Sequence, residues 1–486
     1  MAIIVTVLAY FALLFSVSRI VSRRADNETF FRANRRSPWY MVAFGMVGAS
    51  ISGVTFVSVP GMVLSSQMTY LQLCLGFVLG YVVVAFVLLP LYYRLNLTSI
   101  YAYLGTRFGR RSHATGSWFF LLSKMTGAAV KFYVVCMILQ RFVLDDFGVP
   151  FWLNVVGLVL LIWLYTHRGG IKTLVVTDTL QTLCLLTALL LIIYKVLGQL
   201  SLSPAEAVTA IAGNPMSRIF VFDDWFSSQN FWKQFLSGVF IVVVMTGLDQ
   251  DMMQKNLTCR TLRDAQKDMC CYGVAFVPVN LLFLSLGVLL TMLGIGAVGD
   301  NLLPDYVQNA SHISPITSYL SPLTSHLSEI FTLGIVAASF SSADSALTSL
   351  TTSYCVDIRQ RPDDERLRKF THIAMCFVFV LFILLFHYAN STSLIDAIYT
   401  MVSYTYGPLL GLFAFGLFTR KQPDDRWAPY ACIASPLLCY VLDWSMQRWA
   451  GYRFGYELLM LNGALTFLGL WLSSLHTRSA VRHTPS

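Results

Sequence analysis

Apolar stretches long enough to cross a bilayer recur along almost the whole chain, and no other feature narrows its fold so far. About thirteen can be marked, at residues 3–19, 39–64, 71–92, 116–144, 149–166, 173–197, 232–252, 269–298, 325–355, 370–389, 394–419, 428–446 and 458–475. Hydrocarbon offers the backbone no water to bond, so a spanning segment is a helix or part of a closed barrel. Continuous runs of this length predict helices. Charged residues are only 12% of the 486, hydrophobic ones 56%, and mean hydropathy is +0.63. The expectation is an all-α membrane protein of about 13 transmembrane helices, a single membrane domain over residues 1–486 with no soluble domain at either end. The ten cysteines are scattered, with no CxxC or Cys/His cluster, so neither a disulfide framework nor a metal site is implied. The first apolar run is followed by arginines rather than preceded by them, which reads as a span and not a cleaved signal.

Lys and Arg fall in alternate loops: Arg19 to Arg36, Arg94 to Arg111, Arg168 and Lys172, Lys255 to Lys267, Arg359 to Lys369, Arg420 to Arg426, and Arg478 and Arg482. About 26 of the 34 basic residues lie in this set of loops. The rule that cytoplasmic loops are basic then places the N-terminus outside and the C-terminus in the cytoplasm. The net charge of +9 follows this topology and gives no argument for nucleic acid.

Two spans look interrupted. The second carries G-M-V-G-A-S-I-S-G-V-T (Gly45 to Thr55) and then Pro60 and Gly61; the seventh carries Gly238 and M-T-G-L-D-Q (Met245 to Gln250). Interrupted segments at corresponding places of two halves mark a transporter binding site. Five spans apart, they have opposite orientations, as an inverted repeat requires. Residues 39–200 are expected to form the first repeat and 232–419 the second. Residues 1–38 would add an N-terminal span and cytoplasmic loop, and 428–475 two peripheral spans. The outer segment 299–324, with Pro304, Pro315 and Pro322, is expected to be a structured lid or a loop with short helices.

The ninth run is full of hydroxyls and holds an acid: G-I-V-A-A-S-F-S-S-A-D-S-A-L-T-S-L-T-T from Gly334 to Thr352. Ala338, Ser341, Ser342 and Ser345 sit at i, i+3, i+4 and i+7, on one helix face, with Asp344 beside it. Small residues and hydroxyls also suit close helix packing. Packing does not explain Asp344, since an acid in hydrocarbon is costly and points to function. A cation site of hydroxyls and carbonyls explains both. Gly48 to Gly53 is open to the same two readings, as a helix contact or as unwound backbone offering carbonyls. Asp178, in T-D-T-L-Q (Thr177 to Gln181), is a second embedded acid. Two bare carboxylates in one inner-half cavity would need a cation, a shared proton or a lysine between them. Lys124 and Lys131, seven apart on one face of span four, need an acid or an anionic ligand. The run Thr246 to Lys267 reads alone only as a polar helix leaving the membrane.

Together the span-two break, the T-D-T-L-Q of span six, the D-Q-D-M-M-Q-K of the span-seven exit and the A-A-S-F-S-S-A-D-S-A-L of span nine resemble the sodium:solute symporter family over most of the chain. The resemblance implies a LeuT-type five-helix inverted repeat and the movement of small organic solutes with sodium. It implies a sodium site from carbonyls of Gly48, Ile51 and Ala338 and hydroxyls of Ser341 and Ser342. A second sodium or proton site would use Asp178, Ser341, Ser345 and Asp344, the last replacing a hydroxyl of the sialic-acid-transporting members. Ser50, Ser52 and Thr55 resemble the substrate-facing hydroxyls of those members. Lys124, with Lys131 next, lies near the arginine with which those members hold a carboxylate. The sodium–galactose members present acid and amide groups where this chain has Val54 and Thr55, so a neutral hexose is not expected.

The expected function is sodium-coupled import of a small polar, anionic solute, an acidic sugar or carboxylate, across the plasma (inner) membrane. Na+ is the coupling ion, no other cofactor is called for, and the chain is expected to act as a monomer in the bilayer. The alternatives are a proton-coupled symporter of the same fold and a membrane solute sensor. An enzyme is not expected: there is no HExxH, no GxSxG and no Ser/His/Asp set, and His113, His167, His312 and His326 sit at loops or span ends.

Overall fold

The computed structural model describes residues 2–22, 26–167, 170–296, 299–310, 326–389, 394–452 and 454–482. Helices dominate, and among the described residues the only β-type pairing is an isolated bridge between Ser37 and Cys259. Among the described residues, eight single helices are long and apolar enough to cross a membrane, eleven spans when three bent pairs are each taken as one. Phe151–Thr166, which is shorter, and Ala428–Ala450, which is less apolar, stand where two more of the thirteen are expected.

In order, the spans are α1 (Ala2–Val21), the bent pair α2 (Trp39–Ser50) and α3 (Gly53–Ser66), α4 (Tyr70–Arg94), α5 (Arg110–Leu139), α6 (Phe151–Thr166) and α7 (Gly170–Gln199). Then come the bent pair α8 (Phe231–Gly247) and α9 (Gln250–Asn256), α10 (Leu262–Met292), α11 (Leu327–Ser353) and α12 (Glu365–Ala389). The bent pair α13 (Leu394–Thr405) and α14 (Gly407–Phe418) precedes α15 (Ala428–Ala450) and α16 (Leu458–Arg482). The bends are 60°, 69° and 44°.

Each break frees backbone carbonyls at membrane depth, and each is stitched by side-chain donors, as a lipid-embedded backbone requires. At the first, Ile51 and Ser52 are extended and Ser342 Oγ donates to the Ala49 carbonyl at 2.8 Å. At the second, Tyr92 donates to the Gly247 carbonyl at 2.8 Å and Tyr101 to that of Leu248 at 2.6 Å. At the third, Pro408 has no N–H to offer its own preceding turn. Asn462 Nδ2 bonds the Ser403 and Tyr404 carbonyls instead, at 2.9 and 3.0 Å.

α11 is the centre of the molecule. The hydroxyl-rich helix has 89% of its span buried, against 22% for α1 and 33% for α12, which face outward. It packs on α7 and α5, while α7 packs on α2. Loops expected on one side do gather: Asn27 bonds the Pro362 carbonyl, Arg35 that of Leu97, Ser37 N–H that of Thr258, and Arg107 that of Thr419.

Two expectations need correction or bounding. The run from Thr246 does not simply leave the membrane as a polar helix: every residue of α9 is buried, because Asp249 caps it inside the protein by accepting from the Asp251 and Met252 N–H groups. Of the outer segment 299–324, a helix at Leu302–Ala310 is present, with Leu302, Leu303, Tyr306 and Val307 buried. Residues 311–325 lie outside the described residues.

Candidate functional site

The first two breaks face one cavity of about 110 Å³, between α2/α3, α4, α5, α8/α9, α10 and α13. Ser50, Ser52 and Thr55 line it from the first break, Lys124 and Lys131 from α5, and Asp249 and Asp251 from the second break. Ser342 touches it from α11. Tyrosines wall it elsewhere. Tyr70 and Tyr399 join their hydroxyls across it at 3.0 Å, and Tyr81 donates to Tyr272, which is also bonded to Ser50.

α2 and α3 reach this place because glycine lets them. A Cβ on Gly48 would stand 2.0 Å from Thr182 Oγ1 of α7, and one on Gly53 would stand 2.3 Å from Ser339 Oγ of α11. Close packing and a polar break therefore coexist here, and the two readings of this stretch were not exclusive.

The residues of the expected sodium site sit at this junction. Ile51 and Ala338 are buried, and Ser342 bonds the carbonyl of Ala49, between Gly48 and Ile51. Ser341 turns the other way, donating to Asp178 Oδ1 at 2.7 Å. Of the two expected hydroxyl ligands, Ser342 thus meets the first break and Ser341 meets the Asp178 carboxylate.

The two embedded acids are held by different partners. Asp178 faces Lys255 Nζ at 2.8 Å, a pair with side chains no more than 2% exposed. Of the three partners an embedded acid could take, Asp178 has the lysine. Asp344 accepts from the Tyr165 hydroxyl at 2.7 Å and from Ser345 N–H at 2.6 Å and Oγ at 3.3 Å. Neither acid is among the residues lining the solute-sized cavity.

Lys124 is not the free cation that a carboxylate-binding role suggests. Its ammonium lies 2.7 Å from Asp251 Oδ2 and 3.1 Å from Asp249 Oδ2. Asp249 also accepts from Tyr406 at 2.6 Å. Lys131, one turn pair further along the same face, lines the cavity, and among the described residues no carboxylate lies within ion-pair distance of it.

Sequence reasoning missed Asp249, Asp251 and Lys255. The signal was there: an N-cap acid two residues after Gly247, then Asp251 and Lys255 at i and i+4 on one helix face. Tyr165, Tyr272 and Tyr406 gave no signal, because their role comes from partners on distant helices.

The sequence profile of the Sodium:solute symporter family matches residues 30–425. The human sodium/iodide cotransporter is 28% identical over 49% of this chain, a match that spans 36% of that protein's length. The sodium/sialic acid symporter NanT of Aliivibrio fischeri is 24% identical over 86% of this chain and 83% of its own. In fold, the chain is similar to a Na+-coupled sialic acid symporter solved in a substrate-bound outward-open state, with a TM-score of 0.79 over 98% of both chains at 20% identity. That likeness gives this chain the LeuT-type fold of bundled, broken helices. These relatives are transporters, not enzymes. With the family profile spanning most of the chain, and the broken helices and hydroxyl-rich central helix in place, this chain belongs to the sodium:solute symporter family.

Proposed function

We propose that the chain imports a small carboxylate-bearing solute, an acidic sugar above all, together with sodium. The observation that carries this is Lys131: a cation lining the cavity, with no carboxylate at ion-pair distance among the described residues, beside hydroxyls from Ser50, Ser52 and Thr55. An embedded ammonium needs an anionic partner, and a solute carboxylate is of the right charge and size. Similarity to sialic acid symporters supports the sugar framework, whose hydroxyls match the serine and threonine side of the cavity.

In this reading sodium is cargo. It is held by the carbonyls of Gly48, Ile51 and Ala338 and the hydroxyls of Ser341 and Ser342, with Asp178, Asp344 and Ser345 as a second ion site. Lys124, paired with Asp249 and Asp251 in the empty protein and lining the same cavity, is a second cation for the solute carboxylate. The loop charges support an N-terminus outside and a C-terminus in the cytoplasm, in the plasma (inner) membrane, and the cavity lies within one chain, which we take as the working unit. One charge falling through 100 mV supplies about 2.3 kcal/mol, enough on its own for roughly fifty-fold accumulation of a neutral solute.

Uptake of labelled N-acetylneuraminate into proteoliposomes, with an inward gradient of sodium or of potassium, tests the reading. Uptake that needs sodium, and that Lys131→Met reduces at least about tenfold, supports it. Equal uptake in the two gradients, or uptake driven by an imposed proton gradient without sodium, overturns the coupling ion. Sodium-dependent uptake of neutral hexoses but not acids overturns the solute class.

A further inference from the structure

The cavity and the central helix are joined by a chain of alternating charges that spans three elements. Lys124 of α5 lies 2.7 Å from Asp251 Oδ2 of α9; the other oxygen of Asp251 is 4.0 Å from Lys255; and Lys255 is 2.8 Å from Asp178 of α7. Asp178 in turn accepts from Ser341 of α11. The side chains of Asp251, Lys255 and Asp178 are at most 3% exposed, so each contact is made in a weakly screening interior.

Asp251 is the unsettled member. Oδ2 is committed to Lys124, while Oδ1 is buried with no hydrogen bond and faces Lys255 at 4.0 Å, the outer limit of an ion pair. Asp251 and Lys255 are i and i+4 on α9, a spacing at which a carboxylate and an ammonium meet by side-chain rotation alone. Lys255 therefore has two possible partners, and which one it takes depends on whether Lys124 is holding Asp251.

We infer that Asp251 is an exchange carboxylate coupling solute to sodium: an anion that draws Lys124 away releases Asp251 to Lys255, and Lys255 then yields Asp178 to a cation. In the empty protein the Lys255 ammonium fills the cation position at Asp178. Asp251 is a positioning residue that touches neither cargo. Linkage makes the effect reciprocal, so a sodium ion at Asp178 strengthens solute binding by the same factor. The inference rests on the reading of Asp178 as a cation ligand given above.

The test needs no solute, because deleting the Lys124 charge imitates its withdrawal. Binding of labelled sodium to the purified full chain in detergent is measured for each variant. Lys124→Met should tighten sodium binding about fivefold or more. Lys124→Met/Asp251→Asn should lose that gain. Lys131→Met removes one positive charge from the same cavity without releasing Asp251, and should tighten binding by less than half as much. Asp251→Glu, one methylene longer toward Lys255, should tighten binding with Lys124 intact, and serves if Lys124→Met does not fold. Sodium binding that neither Lys124→Met nor Asp251→Glu tightens overturns the relay, as does a gain that survives Asp251→Asn, while the sodium-coupled reading stands. A native chain that binds no sodium at any concentration strikes down that reading itself, and the relay with it.

Discussion

Lys255 holds Asp178 at 2.8 Å in a place where neither side chain is more than 2% exposed, joining the short helix α9 to α7 beside the hydroxyl face of α11. A lysine read from the sequence as part of a cytoplasmic exit is thus the partner of the acid that most directly touches that face. Removing water from two opposite charges is expensive, and the attraction repays it only while both partners are present.

Asp178→Asn should therefore destabilise the protein by about 3–5 kcal/mol, because it strands a buried ammonium. Asp178→Asn/Lys255→Met should recover most of that loss, since a neutral pair of similar volume has no charge to strand. Thermal unfolding in detergent reads both. An Asp178→Asn variant as stable as the native chain would mean that the pair is not formed in the resting protein.

Ser342→Ala removes the hydroxyl that bonds the Ala49 carbonyl at the first break. The stability cost should be about 0.5–1.5 kcal/mol, that of one ordinary hydrogen bond. The sodium concentration for half-maximal uptake should rise by much more than this small loss suggests, because the same oxygen is a proposed ion ligand. An unchanged sodium dependence would take Ser342 out of the site.

The fold was legible because the bilayer allows so few solutions. Run lengths gave the helices, Gly48 and Gly53 with Ser52 gave the first break, and Gly238 with the Thr246-Gly247 step gave the second. The faces of single helices were legible too, so Ser341, Ser342, Lys124 and Lys131 were found by spacing. Pairings between helices were not, since periodicity within one helix says nothing about the rotation of its neighbour. Hence the sequence left open whether Lys124 meets an acid or an anionic ligand, and could not show Asp249 and Asp251 beside it, Lys255 beside Asp178 or Tyr165 beside Asp344. The third break carried a signal in Gly407 and Pro408, but the donor that makes it tolerable, Asn462, is on another span.

Asn462→Ala should cost about 1–3 kcal/mol, because the Ser403 and Tyr404 carbonyls lose their donor at a depth where water is scarce. A Cβ on Gly407 would lie 2.4 Å from Asn462 Cγ, so the amide is fitted against the break itself. Thermal unfolding of Asn462→Ala checks this. No loss of stability would mean that water reaches those carbonyls.

Gly48→Ala tests whether close helix packing and ion binding share one cause. The added Cβ would meet Thr182 Oγ1 at 2.0 Å, Cβ at 2.8 Å and Cα at 3.0 Å, so α2 and α7 have to move apart. Overpacking of this kind costs about 1–3 kcal/mol. The displacement also carries the break away from α11, stretching the 2.8 Å contact between Ser342 and Ala49. Sodium affinity should fall together with stability. Gly157→Ala in α6, where a Cβ meets nothing within 4 Å, is the control and should gain about 0.5–1 kcal/mol as a helical Gly-to-Ala change. Gly48→Ala/Thr182→Gly removes the two shortest contacts. It should restore sodium affinity before it restores stability, because glycine inside α7 carries its own helix cost of about 1 kcal/mol. If Gly48→Ala lowers stability and leaves sodium affinity untouched, the glycine serves packing alone, and the ion site lies elsewhere on α11.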